Sequence, residues 1–436
     1  MKMKRHRFYA CLLTVMTLAG FTACSSTDND GVTAGQTPNG KSQLTLTINT
    51  MGTRAGFTAD PAGTDTSNNP EKTINRVTVG IFDSDDKVRT IKEFTKGTDE
   101  TAGTVGTNTF KTTDGSTVMN IVTNKLAAGD KVLVAVNAPS GKFQGAQTVS
   151  DFQSRSVDAG RALATNASDE KTTDQVADNA PMFGEAVLPA LGKDQTAYTA
   201  EVKVSHLTAK LSLTDIEVAF DPNGSYQNAT FSPTEIYVEH VVDGLNFNPK
   251  PGHWFTPADL SKTPLLTGAT GVADARTYLT TGTIPNVMLS SASAAGTVKV
   301  MPNKYYFYVT PSNYNNPSGK NANAVRVWIK GDFDSDGPNG KTEATTVFYP
   351  VLLNVKYDAA GAASAADVEK GTEGYKVYPN KNYTCKIIIK TKGLPGSGTD
   401  GKSQPEPGND ELKPQQTTIT VGVKDWDSVT QTTTFE

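Results

Sequence analysis

Residues 43–50 read QLTLTINT, and this short run decides the fold class. Leu44, Leu46 and Ile48 alternate with Thr45, Thr47 and Asn49, the two-residue period of a strand with one buried face. Outward along the chain, further strand candidates follow at INRVTVGIF, KVLVAVNA, YTAEVKVSHL, AKLSLTDIEVAF, EIYVEHVV, KYYFYVTP, AVRVWIKGDF, TTVFYPVLLNV and NYTCKIIIK. Clusters of Gly, Pro, Asn and Asp separate them, as turns require. Helical periodicity is confined to VSDFQSR and the region around Ala162. The expectation is a mostly-β chain with two β-sandwich domains in series. The boundary falls near His206, where one strand ends and a long new one begins, giving domains 55–206 and 207–392.

The N-terminus opens with basic MKMKRHR and continues with the apolar FYACLLTVMTLAGFTA, so residues 1–23 read as a secretory signal. The apolar run is too short to remain as a membrane span. Phe21-Thr22-Ala23-Cys24 resembles a bacterial lipobox, with Cys24 as the lipidated residue and Phe21 a loose fit. An ordinary signal peptide with an incidental cysteine is the alternative, against which the polar CSSTDNDG follows at once. Once the signal is removed, Cys385 is the one cysteine besides Cys24, so the fold relies on its core and not on an intrachain disulfide. The chain of 436 residues is long for one core, and its formal charge of -4 gives no electrostatic footprint for nucleic acid.

Two segments are unusual. MGTRAGF, residues 51–57, sets a lone Arg54 among small neighbours between the first strand and a polar loop. Residues 393–416, GLPGSGTDGKSQPEPGNDELKPQQ, read as a linker that could reach roughly 80 Å at about 3.3 Å per residue. Beyond it, residues 417–436 turn strand-like again, with Ile419, Val421 and Val423 alternating with polar residues.

The chemical motifs are weak. Gly396, Gly398 and Gly401 satisfy G-x-G-x-x-G, but KSQPEPG follows and cannot form the helix that a dinucleotide site needs. Asp332, Asp334, Asp336, Gly337 and Glu343 match a calcium-loop spacing, so a structural calcium ion is one reading. The flanks look like strands, and an acidic hairpin loop with an Asp-Gly turn explains the same residues. His206, His240 and His253 lack zinc-site spacing, and no G-x-S-x-G is present. Trp254, Trp328 and Trp426 could form a sugar platform, although single tryptophans in β-sandwiches are more often core or edge residues. No acid-base pair marks the chain as an enzyme.

The first strand and the C-terminal strand share one signature, three aliphatic side chains at alternate positions, and each hangs on a flexible segment. Two interchangeable strands for one groove make sense of this layout, since a sheet that loses a strand becomes a template for another. Cutting after Arg54 would empty the groove.

At this point the chain resembles the Bacteroidales major fimbrial subunits, the fimbrillins or type V pilins. The resemblance rests on the lipobox at Cys24, Thr53-Arg54-Ala55, APMFG at 180–184, VSHLTAKLSLTDIEV at 204–218, VFYPVLLNV at 347–355, YPNKNYTCKIII at 378–389 and VGVKDW at 421–426. His206 departs from the arginine common there. The resemblance implies transthyretin-like sandwiches, export as an outer-membrane lipoprotein precursor, and removal of residues 24–54 by an Arg-specific protease that leaves Ala55 first. It further implies that a donor strand with Ile419, Val421, Val423 and Trp426 fills the site vacated by Leu44, Leu46 and Ile48 in the next subunit. The implied partners are copies of itself in a linear polymer, anchor and tip subunits, the protease, and host or bacterial surface receptors. Having both Arg54 and the tail favours the stalk of a surface fimbria that supports adhesion. A surface glycan-binding lipoprotein is the alternative, and it has no use for a detachable first strand.

Overall fold

The computed structural model describes residues 41–50, 73–98, 102, 104, 107–113, 116–157, 179–193, 195–254, 265–272, 275–281, 284–291, 298–301, 305–314, 323–357, 363–364, 374–405 and 427–435. Its first strands are β1 (Lys41–Thr50), β2 (Arg76–Phe82), β3 (Val88–Lys96), β4 (Thr109–Thr113), β5 (Ser116–Asn124) and β6 (Lys131–Val136). A short helix, α1 (Val149–Gln153), precedes β7 (Ser156–Val157), β8 (Met182–Val187) and β9 (Tyr198–His206). Next come β10 (Ala209–Val218), β11 (Thr230–Val242), β12 (Leu245–Asn246), β13 (Leu265–Thr267), β14 (Leu289–Ser290) and β15 (Tyr305–Val309). The last are β16 (Arg326–Asp334), β17 (Thr345–Leu352), β18 (Lys356–Tyr357), β19 (Ala363–Ser364), β20 (Lys381–Ile389), β21 (Leu394–Pro395) and β22 (Asp427–Phe435). The protein is mostly β. Helix α1 starts where the Thr148 hydroxyl accepts the Asp151 N–H at 3.0 Å. The region around Ala162 lies outside the described residues.

The first eight-stranded sheet closes on itself in the order β1-β5-β4-β3-β2-β6-β8-β9, with β9 returning to β1. The sequence led us to expect a sandwich here. The closure depends on two short joints, Thr95 and Lys96 with Thr109 and Phe110, and Met182 and Phe183 with His206 and Ser205. Inside lies an apolar core that includes Leu46, Val79, Phe94, Phe110, Ile121, Val134 and Val202. Strands β2 and β6 are buried on both faces, because a second cluster covers their outer side. There Phe143 stacks on Phe152 at 4.1 Å and meets Phe247 edge-on at 5.0 Å. Leu207 and Leu245 join that cluster, and β12 pairs with β7, so the later part of the chain is tied to the first sheet.

Gly184 of the APMFG run explains itself at the β8/β9 joint. A Cβ there would collide with the Lys203 carbonyl oxygen and sit 2.7 Å from a Val202 methyl. Gly184→Ala should therefore cost about 1–3 kcal/mol through forced backbone movement, readable as a lower midpoint in urea with an unchanged slope. A midpoint equal to that of the parent would contradict this close approach.

After His206 a second core begins at Ala209 and runs to Ile389. Two sheets enclose it, β15-β10-β20-β22 and β13-β11-β16-β17-β21, with β14 also on β11. Leu211, Leu213, Tyr383, Cys385 and Ile387 of the first sheet meet Ile236, Val238, Val327, Ile329 and Val347 of the second. Two register shifts interrupt β11, at Pro233/Glu235 and Glu239/Val241, and the second leaves His240 in the left-handed region at φ 64°.

Candidate assembly surface

Strand β1 is a middle strand built from the described N-terminal end. It runs antiparallel to β5, with Leu44 opposite Ile121 and Leu46 opposite Met119. On its other side it runs parallel to β9, with Leu44 beside Tyr198 and Ile48 beside Val202. Leu44, Leu46 and Ile48 are 0% exposed, each contributing about 1.5–3 kcal/mol of burial. The alternate residues carry polar contacts, Thr45 Oγ1 to Asn120 Oδ1 at 2.9 Å and Asn49 Nδ2 to Glu201 Oε1 at 2.8 Å. Ser42 Oγ accepts the Leu126 N–H at 2.9 Å. Taking β1 away leaves two unpaired strand edges and three aliphatic-sized vacancies between β5 and β9.

Cys24, Arg54, Ala55, Ile419, Val421, Val423 and Trp426 lie outside the described residues. At the C-terminus the structure adds what the sequence did not suggest. Strand β22 pairs in parallel with β20 of its own chain, from Lys381 beside Asp427 to Ile389 beside Phe435. Residues 393–405, read from composition as part of the linker, form a packed strap. Leu394 and Pro395 pair with Phe348 and Val347 of β17, and Ser397 and Ser403 close a small loop. Gly398 and Gly401 turn that loop at φ 82° and 67°, which is why a dinucleotide-like glycine spacing occurs here.

The strap ends on a buried polar cluster that sequence reasoning missed. Gln404 Nε2 donates to Glu239 Oε1 at 2.9 Å, and its Oε1 accepts the Tyr237 hydroxyl at 2.6 Å. Trp328 Nε1 donates to Glu239 Oε2 at 2.6 Å, and Arg326 Nε lies 3.6 Å from the same oxygen. Burial pushes the Glu239 carboxyl up, but His240 when its ring is protonated, the positive charge of Arg326 and the hydrogen bonds from Trp328 and Gln404 outweigh it and hold it low. Burial holds His240 below the ordinary imidazole value despite Glu239, so the permanent charge of Arg326 is the partner that matters at neutral pH. Burial likewise drives the Tyr237 hydroxyl up, keeping it a donor. The one signal in the sequence was a Glu-His pair inside the strand run EIYVEHVV.

The acidic loop between β16 and β17 holds itself together. Asp332 accepts from Thr346 Oγ1 at 3.1 Å, and Asp334 from the Gly337 N–H at 3.1 Å. Asp336 accepts from the Lys341 N–H at 2.8 Å and from Thr342, and these bonds hold its carboxyl below the ordinary range. Among the described residues no group of three or more His, Cys, Asp or Glu is placed to hold a metal ion, so the structure does not gather Asp332, Asp334, Asp336 and Glu343 into one. Trp328 is 0% and Trp254 8% exposed, so both are packing residues and offer no open ring face. Among the described residues no helix is long and apolar enough to cross a membrane.

Residues 42–215 match the family described as major fimbrial subunit protein (FimA). No curated protein matches the sequence. Among solved structures, the fold is similar to a fimbrilin from Porphyromonas gingivalis W83, with 16% identity, a TM-score of 0.48, and coverage of 90% of this chain and 97% of that one. It is also similar to the tip fimbrial protein Mfa3 from Porphyromonas gingivalis, with 12% identity, a TM-score of 0.41, and coverage of 80% of this chain and 95% of that one. The residues matched by the family run from β1 into β10.

Proposed function

We propose that the protein is a stalk subunit of a cell-surface fimbria, joined to its neighbours by protease-triggered strand exchange. The chain is exported as a lipoprotein held at the outer membrane through Cys24. An Arg-specific protease cuts between Arg54 and Ala55, and β1 leaves with the lipidated segment. The C-terminal strand of another copy, carrying Ile419, Val421 and Val423, then enters between β5 and β9. Anchor and tip subunits complete the fimbria, and its surface contacts host or bacterial receptors. No catalytic role is assigned. The observation that carries this reading is β1 itself: a strand at one end of the described chain sits between two others with three aliphatic side chains fully buried. The match of residues 42–215 to the major fimbrial subunit family supports the fimbrial role.

Replacing Arg54 with Ala should leave a lipidated, membrane-held monomer that retains β1. Fibres counted by electron microscopy and N-terminal sequencing of the mature subunit test this. Mature chains starting anywhere other than Ala55, or normal fibres from Arg54→Ala, would count decisively against it.

A further inference from the structure

Above the outer face of β11, between residues 267–272 and strap residues 402–405, lies a cavity of about 590 Å³. That volume suits a one- or two-ring sugar. Its walls carry an uneven set of hydrogen-bonding groups. The Glu235 carboxylate is taken by Thr270 N and Oγ1 at 3.2 and 3.1 Å and faces Lys330 Nζ at 3.7 Å. Glu239 is taken by Trp328 and Gln404.

Donors, by contrast, are in surplus. Lys330 Nζ carries three hydrogens and, among the described residues, meets only Glu235 and the Phe348 ring. The exposed Lys402 ammonium has no partner among them, and Gln404 Nε2 has a second hydrogen to give. Lys330 and Lys402 line the cavity with Glu235 and Glu239, and the buried Arg326 adds its charge beside Glu239. One acceptor is also left waiting. His240 Nδ1 lies 3.1 Å from the Ala324 carbonyl oxygen, which can only accept, so the ring proton sits on Nδ1. Burial keeps the ring below the ordinary imidazole value, so at neutral pH Nε2 is unprotonated and faces Glu239 Oε1 at 3.8 Å, an acceptor beside an acceptor.

We propose that this cavity binds a sugar acid, its carboxylate held by Lys330 and Lys402 and a ring hydroxyl donating to His240 Nε2. A neutral sugar leaves the lysines unanswered, and a simple carboxylate leaves the imidazole unanswered. One wall of the site, with Lys402, belongs to the strap, so it exists only with residues 402–405 docked. Binding does not depend on strand exchange and is measured on the uncut monomer.

Calorimetric titration of the full chain with D-glucuronate, D-glucose and acetate separates these demands. Saturable glucuronate binding is expected, at least about tenfold tighter than either other probe. Lys402→Ala should weaken glucuronate by about tenfold with an unchanged melting curve, and Lys402→Gln should do the same if the alanine variant folds poorly. No saturable glucuronate binding, equal affinity for glucose or for acetate, or full affinity in the folded Lys402 variants would overturn the assignment.

Discussion

A chain ending at Lys413 should fold, be exported and be cut after Arg54, yet produce no fibres. It keeps the slot between β5 and β9 and so can accept a strand, but it has none to donate. Three aliphatic side chains at about 1.5–3 kcal/mol each, with ladder bonds at about 1 kcal/mol net, make a firm joint before the entropy of ordering the tail is subtracted. The truncated chain also loses β22, which leaves the β20 edge open in the monomer. Far-ultraviolet dichroism of the monomer and electron microscopy after digestion read the two halves of the result. Val421→Asp should act in nearly the same way by bringing an unpaired charge to an apolar slot. Fibres of normal length from the truncated chain would show that another surface makes the joint, and strand donation would have to be abandoned.

The second large effect is expected at Glu239. Glu239→Ala strips the buried Arg326 guanidinium of its counter-charge and should destabilise the second core by about 3–5 kcal/mol, visible as a strongly lowered denaturation midpoint. It also removes the acceptor for Gln404. Pairing the change with Arg326→Met should restore much of the loss, because no buried charge is then left stranded. A double variant no more stable than Glu239→Ala would mean that packing around the two side chains matters more than their charge.

The strands with apolar alternation were legible in the sequence. QLTLTINT, KVLVAVNA, AVRVWIKGDF and NYTCKIIIK all became strands because one or both of their faces meet a core. VRTIKEFTK was passed over, since β3 is half-buried along most of its length and mixes Thr, Lys and Glu with its apolar residues. STVMNIVTN was missed as well, although Met119 and Ile121 line the slot beside β1. Composition could not separate a tether from a turn. The glycines of 393–405 serve a packed loop, although their composition reads as a linker. Glu239, Arg326 and Gln404 come together only through the pairing of β11 with β16 and the path of the strap, which no local pattern encodes.

The strap also decides where a fibre would be pulled. In a polymer linked through residues beyond 405, tension enters each subunit at Pro405, next to the amide that is held by both Tyr237 and Glu239. Such tension would reach those two bonds before the β21 contact with β17. If they yield, the Ser397–Ser403 loop and then residues 393–396 peel away and lengthen the connection while both cores stay folded. Under flow such a chain would behave as a row of stiff bodies joined by extensible couplings, each able to absorb a tug and re-dock when it passes.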